Sequence, residues 1–130
     1  LVHLIDLSDG PETTELLLRD TGGPSLAAAL ADPTTSSNRA LLLMANACDA
    51  VARLHERGWA HGRVEPDHVL LTGRGRVRLC SVSSAMPLEV DPSVGRADRI
   101  ALLRMVDDWT RAPVGAGRAA PLNGYFLLPC

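Results

Sequence analysis

LHERGWAHGRVEPDHVLL, residues 54–71, joins the clearest helix of this chain to its clearest hairpin. Ahead of it, Leu41, Met44, Ala47, Cys48, Val51 and Leu54 recur at the i, i+3, i+4 spacing of one buried helical face, with Ser37 as the expected cap. Arg53 and Arg57 fall in the last turns, where cations suit the helix dipole, and Gly58 is the expected left-handed terminator. Behind it, residues 69–72 and 77–80 are short apolar runs joined by GRGR (73–76), a glycine-bearing connection that predicts an antiparallel hairpin. No helix follows that GxG, so it reads as a turn and not as a phosphate loop.

Composition bounds the remainder. The chain has 130 residues, enough for about one domain, and 46% of them are hydrophobic, enough for a core. A net charge of −2 and 3% aromatic residues give no electrostatic or stacking case for nucleic acid. No apolar run is long enough to span a bilayer, so no membrane insertion is expected. Cys48, Cys80 and Cys130 are widely spaced and form no CxxC, which argues against a disulfide framework or a zinc site and for a reducing, cytoplasmic setting. All thirteen basic residues are arginine, so no phosphate-loop or Schiff-base lysine lies in this segment. The chain opens on Leu1, not Met, and is read as part of a longer protein.

Further elements follow from local pattern. Residues 1–7 and 15–19 read as strands of an antiparallel hairpin, with 8–11 (SDGP) as the turn. Gly22, Gly23 and Pro24 are expected to break the chain before a short helix over 25–31, capped by Ser25. After a polar loop (32–38) and the long helix, residues 83–96 read as irregular. A second amphipathic helix is expected over 97–109, with Ile100, Leu103, Met105 and Val106 on its apolar face.

The stretch 54–71 resembles the catalytic loop of protein kinases, whose usual wording is close to LHxxGxxHRDLKPxNVLL. Leu54, His55, Gly58, His61, Pro66, Val69, Leu70 and Leu71 stand where that pattern wants them. LLLRDTGGPSL (16–26) resembles the last small-lobe strand and hinge, RVRLCSVSSA (76–85) resembles the DFG region, and ADRIALLRMV (97–106) resembles the helix carrying a buried Asp, here Asp98. The resemblance implies an α+β, mainly α fold: a protein-kinase-like large lobe with the last small-lobe strands and hinge at its N-terminus. It divides the chain into a small-lobe end and hinge (1–24), a truncated large lobe (25–112) and a Gly/Pro/Ala-rich tail (113–130). The glycine-rich loop and the ATP lysine of the family would lie upstream of Leu1 or nowhere.

The reactive positions depart from the family. Arg63 stands at the catalytic Asp, Glu65 at the Lys, His68 at the metal-binding Asn and Ser81 at the DFG Asp. Guanidinium cannot accept a proton, and neutral imidazole is a poor magnesium ligand. By contrast His61, Val82 and Asp98 keep the resemblance's scaffold positions. Leu18, Arg19, Asp20, Thr21 and Leu70 fall where a nucleotide pocket would be, but nothing in the residues supports ATP or magnesium, and no cofactor is expected. His61 and His68, with six residues between them, match no familiar zinc spacing, so no metal site is expected. The expected function is that of a pseudokinase, a bacterial-type regulatory scaffold that binds an unidentified protein partner. The alternative is an active serine/threonine kinase with its missing motifs upstream.

Overall fold

A computed structural model of the chain describes residues 4–9, 14–18, 22–72 and 75–111. It opens on an antiparallel hairpin of β1 (Leu4–Asp9) and β2 (Thr14–Leu18), bulged between Leu4 and Asp6. The hairpin was expected, but its first strand runs further than the sequence suggested. Ser8 pairs with Glu15 and Asp9 with Thr14, so two residues read as turn belong to the ladder.

A second difference lies at Gly22 and Gly23, expected only to interrupt the chain. Gly22–Ser25 forms β3, which pairs antiparallel with β5 (Val69–Thr72), and β5 pairs in turn with β6 (Val77–Leu79). Glycine permits this: a Cβ on Gly23 would run into the carbonyl oxygen of Leu71. Alternation then divides β5, with Val69 and Leu71 buried in the core and Leu70 half-buried on the opposite face.

Helix α1 (Leu26–Ala31) is capped as expected, the Ser25 hydroxyl accepting from Ala28 N at 3.1 Å. Helix α2 (Ser37–Glu56) is capped one residue earlier than expected: Ser36 Oγ accepts from Arg39 N at 3.2 Å, while Ser37 is buried in the first turn. Its core stripe is Ala40, Leu43, Met44, Ala47, Cys48 and Val51. Leu41 and Leu54, expected on this face, are half-buried at its margins. Complete burial of a side chain such as Leu43 or Met44 contributes about 1.5–3 kcal/mol.

Helix α3 (Pro92–Arg111) begins five residues before the expected 97. Asp91 Oδ1 accepts from Ser93 N at 3.0 Å, and Pro92 sits at the first helical position, where its missing N–H costs nothing. Residues 92–96, read as irregular, are therefore the start of this helix. Its buried residues are Gly95, Asp98, Leu102, Met105, Val106 and Trp109, whereas Ile100 and Leu103, expected in the core, are each 41% exposed. A short bridge, β4 (Trp59–Ala60) against β7 (Met86–Pro87), ties the end of α2 to the approach to α3. No described helix is long and apolar enough to cross a membrane.

Candidate functional site

The site is built where α2 stops. Gly58 adopts φ +85° and its N–H reaches His55 O at 2.9 Å, ending the helix, and the β4–β7 bridge then delivers the chain into the interior at His61. His61 is completely buried and Asp98, on α3, is 1% exposed.

Asp98 organises the turn. Its Oδ2 accepts from His61 N at 2.8 Å and from His55 Nε2 at 2.9 Å, and its Oδ1 accepts from Gly62 N at 2.9 Å. A carboxylate this buried is tolerated only when its lone pairs are occupied, and here three donors occupy them. The His61 ring is fixed as well. Arg63 N donates to Nδ1 at 3.2 Å, so the proton sits on Nε2, which donates to Cys80 O at 2.6 Å. This histidine therefore has both nitrogens engaged by backbone groups.

Gly62 was not singled out from the sequence, although it replaces the Arg of the HRD wording. It holds φ +84°, and a Cβ there would strike the carbonyl oxygen of Ser84. Only glycine meets both demands without strain, which makes it a positioning residue of this turn. The signal was a glycine directly after the matching His61.

Arg63, Glu65 and Asp67 are exposed, Pro66 and His68 are half-buried, and Val64 is buried in the core. Arg63 Nε lies 3.7 Å from Glu65 Oε1, with both side chains largely exposed. His68 donates from Nδ1 to Arg63 O at 2.8 Å, and its Nε2 lies 3.8 Å from Glu65 Oε2. Cys80 closes the assembly, its N–H donating to His68 O at 2.9 Å. Thus Arg63, Glu65 and His68 come together at one edge, with Ser81 next to Cys80 beside it. Ser81 adopts φ 59°, ψ 47°, the left-handed region, and is the one non-glycine residue with positive φ among those described.

Val82 follows, half-buried at the start of a single 3₁₀ turn (Val82–Ser84). Of the proposed nucleotide-pocket residues, Leu70 is opposite Ser25 and Arg78, and Leu18 ends β2 opposite Leu4. Arg19, Asp20 and Thr21 lie outside the described residues. A groove of about 780 Å³ runs beside the loop between α1, residues 64–66 and α3. Among the described residues no group of three His, Cys, Asp or Glu side chains is placed to hold a metal ion.

No family model matches the chain, and no curated protein matches it in sequence. Among solved structures it is similar to monomeric WbdD, with a TM-score of 0.61 and 16% identity over 82% of this chain and 25% of that one. The chain thus spans a quarter of the length of that structure. At such identity the likeness is one of fold alone, a mixed α+β, kinase-like fold.

Proposed function

We propose that this chain is a kinase-like domain without phosphoryl transfer, a pseudokinase that works as a scaffold binding a protein partner. The observation that carries the reading is the polarity of the outward edge of the loop. Where transfer needs a carboxylate to orient the attacking hydroxyl, there is the Arg63 guanidinium, beside Glu65 and tied through its own carbonyl to His68. The donor set does not fit magnesium either. His68 Nδ1 is already spent on a carbonyl, and a hydroxyl stands at Ser81 in place of a carboxylate. The buried side of the same loop, anchored on Asp98, keeps a kinase-like framework on which a binding surface can be displayed.

Thermal unfolding of the full chain with and without millimolar ATP and magnesium tests this directly. A ligand at a hundred times its dissociation constant stabilises by about 2.7 kcal/mol, a shift of several degrees in a domain of this size. The expected result is no magnesium-dependent shift and no transfer of labelled phosphate to a generic serine/threonine substrate. A magnesium-dependent shift together with transfer would establish an active kinase instead.

A further inference from the structure

On the flank of α2 a second feature has no part in the loop. Arg53, in the last turn of α2, Arg57, the residue that caps its C-terminus, and Arg76, at the edge of β6, border a cavity of about 650 Å³. Its apolar wall is formed by Leu54, Val77 and Leu79. Asp49 is the one carboxylate in this lining, and it is taken by Arg53 at 3.1 Å. Neither Arg57 nor Arg76 forms an ion pair among the described residues. Arg39 extends the same edge, its guanidinium lying close to Gly75 at the turn before β6.

The placement follows from period. Arg53 and Arg57 are one helical turn apart, and Arg39 lies nearly four whole turns before Arg53, so one flank of α2 presents all three. In a chain of net charge −2, this flank reverses the sign of the molecule. Arginines that line one cavity favour an anion there, and their planar fork suits carboxylate or phosphate oxygens at two points. The apolar wall adds a demand that a free ion cannot meet. Nucleic acid fits poorly, since no aromatic side chain lines the cavity to stack a base.

We propose that this cleft docks an extended segment of a partner protein that carries anionic side chains beside an apolar one. The anions would lie between Arg57 and Arg76, with the apolar residue on Leu54 and Val77. The proposal rests on the scaffold reading above and supplies the chemistry of the partner.

The test uses the full chain and fluorescently labelled peptides of alternating Glu and Leu, followed by anisotropy. Phosphoserine replaces Glu in one arm, and Gln replaces it in a control. The anionic peptides should bind more tightly than the Gln control, and weaken as salt rises from about 0.05 M to about 0.5 M. The carboxylate is the expected anion, and binding of the phosphoserine arm alone would overturn that assignment. Exchanging both cleft arginines, Arg57→Glu with Arg76→Glu, should weaken binding by about tenfold or more. Arg96→Glu with Arg99→Glu on α3 makes the same change in net charge and should leave it unaltered. Should the first pair unfold by circular dichroism, Arg57→Gln with Arg76→Gln carries the comparison. Equal binding of the Gln control, or equal weakening by the α3 pair, overturns the proposal. Titrating ATP and magnesium into the same samples separates the two readings. Loss of the peptide result alone removes the cleft, whereas phosphate transfer with peptide binding intact removes the scaffold reading.

Discussion

The two edges of residues 61–68 obey different rules. On the inner edge, His61 and Asp98 are buried, and every polar atom discussed there has a stated partner. On the outer edge, the side chains of Arg63 and Glu65 are 63% and 49% exposed and meet at 3.7 Å. Measured against the kinase wording, the inner edge matches at His61 and Asp98, and the outer edge differs at Arg63, Glu65 and His68. Burial explains the asymmetry. Changing an inner group strands donors in the core at a cost of about 1–3 kcal/mol each, while an exposed ion pair is worth about 0.2–1 kcal/mol in either polarity. Exposed residues on the outer edge can therefore change without disturbing the framework under them.

The strongest challenge to that comparison is Asp98→Ala. It strands the amides of His61 and Gly62 and removes the acceptor of His55, so unfolding in urea should show a loss of about 3–5 kcal/mol. A loss under about 1 kcal/mol would mean that the inner edge is not what holds the loop. Gly62→Ala comes next. The positive φ and the approach of Ser84 O should together cost about 1–3 kcal/mol by the same measurement, with partial relief in Gly62→Asn, because Asn tolerates this backbone better than Ala does.

How much of this was readable beforehand depends on whether the information is local. Helix α2 and its glycine stop were legible because periodicity and Gly58 sit within one stretch of chain. The α+β, kinase-like class was legible from motif order. Strand β3 was not, since GGPS has no strand propensity and is recruited by the facing β5, which tertiary pairing alone supplies. The start of α3 was misread because residues 83–96 read as irregular, whereas Asp91 followed by Pro92 makes a helix start. The phase of α3 was misjudged for a related reason. Asp98 and Gly95 occupy the buried stripe, so hydrophobicity alone pointed toward Ile100 and Leu103. At the site, the composition of the outer edge was plain in sequence, but the role of Gly62 needed the position of Ser84, which no local pattern encodes.

A sharper test of the outer edge reverses its polarity. Arg63→Asp with Glu65→Lys places the charges of the kinase wording at two exposed positions and should move stability by less than about 1 kcal/mol. On the pseudokinase reading proposed above, the double variant should transfer no phosphate, because His68 and Ser81 are unchanged. Transfer after these two changes alone would show that the rest of the site had been competent throughout.

Ser81 gives the smallest effect and the most direct contact between the two edges. It holds a left-handed backbone that costs a residue with a Cβ about 1–2 kcal/mol, and its hydroxyl has only a weak partner in Cys80 Sγ at 4.0 Å. Substituting glycine removes that strain but adds about 0.5–1 kcal/mol of backbone entropy to the unfolded chain. The two effects leave Ser81→Gly more stable by about 0.5 kcal/mol, read as a small rise in urea midpoint with the slope unchanged. The conformation is imposed from the inner side, where Cys80 O accepts from His61 and Cys80 N donates to His68 O. If Ser81→Gly were instead destabilising, the serine hydroxyl would be contributing to the framework, and the boundary between the inner and outer edges would lie one residue further out.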